Sequence, residues 1–474
     1  MKAVHTSTPG FSTASKDTWP LLPEERIWGP VGFIVVALSV GVAPWGFIIG
    51  GVVSHYLNAV QGTCAMIAGS LAGTYFVILA TVPMSCRYGI DTIVASRPQL
   101  GSKGATIAIF LQFASIIGWN CLLLILLGRA AGRIAMAIGM VEPTSIWIIS
   151  ISFSLFIVLL SWSILRNGAY RIQQLAYLIA ISVGGLGSWM IFKLISGAGI
   201  EAILTAVPKE ASHHRLWNYV LGFEMMTAAV ISWWPYIGGM VRMTKRMRST
   251  SWTVLLCMGL PTGLLALLGL YSGLVTGDSD PTAWLIQFGG VHHGVMALLF
   301  LVLANVGAVV VGTYVVSIGI QQLDGTQSRM NCDLSIFVAL LPVAIVTTLI
   351  PDWFFEHTGN FFTFLGVFFA PMVGIQITDT FVLRHGKLRI DGLYDDSKYS
   401  AYYFIKGINP VAILSIAIGL TTYVYLLNPA TLVSNGTFQY TGASLPAILA
   451  SSIAYYAGTR FYSYKKCIGD YTIG

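Results

Sequence analysis

Twelve apolar runs, each long enough to cross a bilayer, fill most of this 474-residue chain. A helix rises about 1.5 Å per residue, so crossing roughly 30 Å of hydrocarbon takes about 20 residues. Punctuation by Gly, Pro and charge places the runs near 31–54, 61–84, 105–128, 144–165, 173–195 and 217–241 in the first half. The others fall near 252–275, 292–321, 334–350, 358–383, 408–427 and 443–461. Only 9% of the residues are charged, against about 25% in soluble domains. So few charges cannot solvate the surface of a large globule. A soluble enzyme, a disordered regulator and a nucleic-acid-binding domain are therefore excluded. The fold class expected is an all-α polytopic membrane protein with twelve transmembrane helices and the lipid bilayer as its partner.

The scarce charges set an orientation. With the N-terminus inside, every Lys and Arg except Arg129, Arg133, Lys193, Lys209 and Arg215 falls on the cytoplasmic side. That is the positive-inside pattern, and it accounts for the net charge of +7 without a nucleic-acid partner. It predicts a multi-pass protein of the cell membrane, plasma or inner, with both termini cytoplasmic. The layout is a cytoplasmic tail 1–28, a transport core 29–385 holding spans 1–10, and a cytoplasmic loop 386–407. Spans 11–12 follow over 408–462, then a cytoplasmic tail 463–474. The six Cys have neither CxxC nor Cys/His metal spacing, so free thiols are expected, with no metal and no cofactor. No residue pattern specifies an oligomeric state.

Two runs carry matching interruptions. The first contains SVGVAPWGFIIGG (39–51) and the sixth SWWPYIGG (232–239), each with a Pro followed by a Gly pair. Pro removes a backbone donor and Gly tolerates non-helical dihedrals. A broken helix in lipid must be buried in protein or line a polar cavity. Breaks five spans apart point to a 5+5 inverted-repeat core with a midplane substrate site and two further helices. Trp45, Gly46, Trp233 and Trp234 flank the breaks and are candidate substrate-binding residues.

Glu224 is the one acidic residue well inside a span. An unpaired charge there costs roughly 2.5–3.5 kcal/mol on insertion scales. It is expected to take up a coupling proton or to accept a substrate N–H. The alternative is a structural hydrogen bond to a hydroxyl or backbone break of a neighbouring helix. Thr313 and Tyr314 offer further donors at midplane depth in the eighth run. Asp379, close to Arg384, reads as a structural or gating charge, and His213-His214 and His292-His293 as solvated outer pairs. No HExxH, no GxSxG with a partnered His and no midplane carboxylate pair is present, so no enzyme is expected. Nor is there a pore motif or a charge ring of the kind channels use.

The connection CRYGIDTIVASRPQLGSKGA (86–105) resembles the signature loop of the nucleobase:cation symporter-1 family through Tyr88, Gly89, Ile90, Arg97, Gly101 and Gly104. Gly118-Trp119, the stretch 364–394 with Pro371, Gly374 and Asp379, and Gly407 with Asn409-Pro410 are similar to the same family. The resemblance implies a leucine-transporter-type core plus two peripheral helices. It also implies import of nucleobases, hydantoins, allantoin or related heterocycles with Na⁺ or H⁺. In such transporters an indole on the third span stacks on the flat substrate, and Trp119 is the matching position, with Trp233 or Trp234 to cap the opposite face.

Three departures qualify it. Leu123 stands where hydantoin-type members have a Gln, and Gly239 where the family has an Asp. Ala308 and Val309 stand where sodium-coupled members carry two hydroxyls, and methyl groups cannot ligate a hard cation. The expected function is proton-coupled secondary import of a small planar nitrogen-containing solute by alternating access. The alternative is an inverted-repeat transporter for an amino acid or other amine, with Glu224 pairing the substrate cation and Na⁺ coupling still open.

Overall fold

The computed structural model describes residues 19–42, 44–166, 172–321, 332–465 and 468–471. Much of the expected tail 1–28 and part of the tail 463–474 lie outside them. Among the described residues there is no β-strand, only isolated bridges such as Trp28 with Thr244. Each of the twelve expected stretches is occupied by a helix or a broken pair of helices. Among the described residues six helices are long and apolar enough by themselves to cross a membrane, or up to eight if each bent pair is one span.

Local chemistry sets the ends. Span 2 (Ala59–Tyr88) starts at Asn58, whose side chain accepts the Gln61 N–H at 2.9 Å. It ends at Gly89, where φ of 70° is free of the Cβ clash other residues meet. Span 1 is split into Pro30–Gly41 and Trp45–Val53, and span 6 into Arg215–Ile231 and Trp234–Val241. The interruptions are where the sequence places them, but the prolines do not sit inside broken turns. Pro44 is the N-cap of the second half of span 1, and Pro235 lies in the first turn of the second half of span 6. A missing N–H costs nothing there, because the first N–H groups of a helix have no intrahelical partner. Span 8 is longer than expected: helix runs from Pro281 to Gln321 across a kink at Gly290, adding an arm before the expected start.

The spans form two packed bodies. Spans 1, 2, 6 and 7 pack on one another, as do spans 3 (Thr106–Ala137), 4 (Ile146–Arg166), 8 and 9 (Cys332–Leu349). Glycines let the backbones approach in the first body: a Cβ on Gly50 would strike the Ala266 carbonyl, and one on Gly269 the Phe47 carbonyl. Span 10 (Thr358–Ile377, then a π turn to Leu383) packs on span 6 and on spans 11 (Pro410–Leu426) and 12 (Ser444–Gly458). Large apolar side chains such as Phe156, Leu159, Leu303 and Ile453 point outward, as lipid-facing residues must.

Charge gathers at the two ends. At the basic end the Arg26 guanidinium donates to the Cys86 carbonyl at 2.6 Å and the Thr244 carbonyl at 3.2 Å, tying spans 2 and 6 together. Arg384 pairs with buried Asp379 at 2.8 Å and donates to the Pro98 and Gly469 carbonyls. The Asp379–Arg384 proximity read from the sequence is thus a direct ion pair. At the opposite end Arg129 bridges Asp280 at 3.2 Å and Asp352 at 2.6 Å, and Arg133 shares Asp280 at 3.3 Å.

Candidate functional site

The two breaks bring indoles together. Trp45 opens the second half of span 1, Trp233 lies in the break of span 6, and Trp119 reaches them from span 3. The Trp45 ring meets Trp233 edge-on at 4.9 Å between centroids and Trp119 at 5.6 Å. Phe361 and Phe362, in the first turn of span 10, lie 5.6 and 5.5 Å from Trp119. Gly118 makes room for this arrangement, since a Cβ there would run into the Phe361 ring. The Gly118-Trp119 pair therefore has a steric reason: the glycine seats an aromatic of span 10 beside the indole.

The polar edge of the cluster comes from the break in span 6. Ser232 ends the first half-helix, and its N–H bonds the Ala228 carbonyl at 3.2 Å. Its hydroxyl donates to the Ala229 carbonyl at 2.6 Å and accepts the Trp119 indole N–H at 3.2 Å. In span 1 the Gly41 carbonyl takes the Thr262 hydroxyl at 3.0 Å instead of an intrahelical N–H. None of the side chains in this cluster is charged. Aromatic faces with a few hydrogen-bonding groups at their edges suit a flat ring, and they offer no charged group to pair a carboxylate.

Other expected site residues face elsewhere. Glu224 is buried, but its carboxylate is turned to span 12: one oxygen accepts the Ala443 N–H at 3.0 Å, the other the Ser444 N–H at 2.9 Å and the Ser444 hydroxyl. It caps that helix rather than lining the aromatic cluster, so the structural alternative describes its surroundings. Trp234 is fully buried with its N–H on the Gln376 side chain of span 10, outside the cluster that holds Trp233. The missing Cβ of Gly46 points to Leu265 of span 7. Thr313 accepts the Asn120 amide at 3.2 Å and donates to the Val309 carbonyl at 2.8 Å, which places it in the seam between spans 3 and 8. Tyr314 is partly buried against the core. Leu123 is buried, and both histidine pairs are exposed.

Ser232, Phe361 and Phe362 join the site without having been singled out from the sequence. Ser232 had one available signal, its place at the start of a Pro-containing break. The signature-like loop acts at a distance from the indoles. Asp91 caps a helical turn there by accepting the Val94 N–H at 2.8 Å, and Thr92 accepts the Gly238 N–H at 3.0 Å, docking the loop on the second half of span 6. Burial pushes the Asp91 carboxyl above its usual range, and the Val94 N–H and Arg242 pull it back.

Comparison with known proteins agrees with this architecture. The family model described as "Permease for cytosine/purines, uracil, thiamine, allantoin" matches residues 20–443. The chain is 22% identical over 457 residues to the purine-uracil permease NCS1 of Arabidopsis thaliana, covering 90% of this chain and 74% of that one. Its fold is similar to the inward-facing conformation of Mhp1, with a TM-score of 0.79 at 16% identity over 98% of this chain and 96% of that one. It is also similar to Mhp1, a nucleobase-cation-symport-1 family transporter, in a closed conformation with bromovinylhydantoin bound, with a TM-score of 0.74 at 16% identity over 95% and 96% of the two chains. The all-helical fold is thus of the leucine-transporter type, in a multi-pass membrane transporter and not an enzyme. Motif, architecture and family match converge: the chain belongs to the nucleobase:cation symporter-1 family of permeases.

Proposed function

We propose that this protein imports a small planar nitrogen heterocycle, such as a nucleobase, allantoin or a hydantoin, by ion-coupled alternating access. The observation that carries the reading is the convergence of Trp45, Trp119 and Trp233 where spans 1 and 6 are broken. Trp119 is the stacking platform, Trp45 and Trp233 close the slot, and backbone groups freed at the breaks read the edges of the ring. The amine alternative loses its main support, because the Glu224 oxygens are taken up by span 12. For the coupling ion, methyl groups at Ala308 and Val309 favour a proton over sodium, with its carrier a group other than Glu224. The basic end supports both termini being cytoplasmic in the plasma or inner membrane.

The test is uptake of labelled uracil, cytosine, allantoin and a set of amines, with and without Na⁺ and at two pH values. Uptake of at least one flat heterocycle without Na⁺ is expected, stronger at low external pH. Stacking contributes about 1–3 kcal/mol per base, so Trp119→Ala should cut uptake at low substrate by roughly tenfold or more, and Trp119→Phe by less. Amine uptake surviving Trp119→Ala would overturn the reading.

A further inference from the structure

The Trp119 indole N–H can only donate a hydrogen bond, and its ring neighbours Trp45, Phe361 and Phe362 offer no acceptor in their planes. The acceptor is Ser232 Oγ at 3.2 Å. Ser232 is fully buried and held twice by its own helix, through its N–H to Ala228 and its hydroxyl to Ala229. Its lone pairs are therefore aimed by the end of a half-helix and not by a free rotor. The bond also crosses between the two packed bodies, from span 3 to the break of span 6. The indole carries no second polar atom, so this one hydrogen bond is what fixes the rotation of the ring.

We propose that Ser232 is a positioning residue: it sets the tilt of the Trp119 platform and ties that tilt to the seating of the span 6 break against span 3. The inference rests on the reading of Trp119 as the platform. A ring presented at the correct angle stacks on a flat ligand, whereas one that has lost its acceptor no longer has that angle fixed. The contribution is to ligand affinity, so it belongs in KM and not in Vmax.

The experiment is a mutant cycle of Ser232→Ala and Trp119→Phe, which deletes the N–H but keeps an aromatic face, read by uptake of whichever of labelled uracil, cytosine and allantoin the wild type carries. Ser232→Ala is expected to raise KM about five- to tenfold with Vmax unchanged, as losing one hydrogen bond at a ligand platform implies, and to lower the melting temperature modestly because the indole N–H loses its acceptor. Ser232→Thr, which keeps the acceptor, restores KM. In the Trp119→Phe background Ser232→Ala adds nothing. Equal KM effects in both backgrounds, or no effect of Ser232→Ala while Trp119→Ala abolishes uptake, would overturn the positioning role and leave the platform standing. Unchanged uptake in Trp119→Ala would instead overturn the platform. The hydrogen bond itself is read without any ligand, from the indole N–H-sensitive Raman band in the difference between wild type and Trp119→Phe. That band should shift in Ser232→Ala, and an unshifted band removes the proposal.

Discussion

A single carboxylate shows how far residue-level reasoning reaches. Glu224 stood out in the sequence because an acid inside an apolar run demands a partner, and the partner exists. Its direction was not legible, because the donors lie 219 and 220 residues downstream at Ala443 and Ser444, with no local pattern linking them. Gly442 completes the seat, since a Cβ there would lie 2.9 Å from the carboxylate. The cap geometry makes a definite prediction. Glu224→Gln keeps one acceptor and should leave the pH dependence of uptake as in wild type. Glu224→Ala strips the first N–H groups of span 12 of their acceptors and should cost about 1–3 kcal/mol, seen as a lower melting temperature in detergent. If Glu224→Gln abolished the pH dependence while melting normally, the carboxylate would be a proton carrier after all.

At the scale of elements, the breaks were readable and their register was not. Pro and Gly in long apolar runs announced interruptions in spans 1 and 6, but the prolines open the second half-helices because a first turn tolerates their missing N–H. The same limit applied to Trp233 and Trp234. Adjacent residues on a helix point about 100° apart, so only one of the two faces the cluster, and sequence alone does not choose. Gly118 is the element-scale feature best tested by mutation. Gly118→Ala places a methyl group against the Phe361 ring, and overpacking of this kind costs typically 1–3 kcal/mol. The first turn of span 10 should be displaced from span 3, with lower stability and weaker uptake. Adding Phe361→Leu should recover much of both, measured by melting temperature and by KM. A double variant no better than Gly118→Ala would show that Phe361 is not what the glycine accommodates.

For the whole molecule, twelve apolar runs were enough to read a polytopic membrane protein and the paired breaks and family-like loop a transporter, while the ion pairs at its ends were invisible. Arg129 and Arg133 appeared in the sequence only as outer charges. In the structure Arg129 joins span 3 to the arm before span 8 through Asp280 and to the segment before span 10 through Asp352, and it lies 4.1 Å over the Phe355 ring. This fork pins the start of the arm before span 8 and the segment before span 10 to span 3, at the end away from the basic loops. Its two arms differ in kind. The Asp280 side chain is 4% exposed and the Asp352 side chain 77%. An exposed pair contributes about 0–1 kcal/mol, whereas removing a partner from a buried carboxylate costs more, here moderated by the second donor on Arg133. Arg129→Gln should therefore lower the melting temperature clearly more than Asp352→Asn. It should also speed amide hydrogen exchange over residues 351–362, the segment the fork pins, with little change at the Arg384–Asp379 end. Equal effects of the two substitutions, or exchange unchanged over 351–362, would mean that aromatic packing of Phe361 and Phe362 on span 3 holds that end closed without the charges.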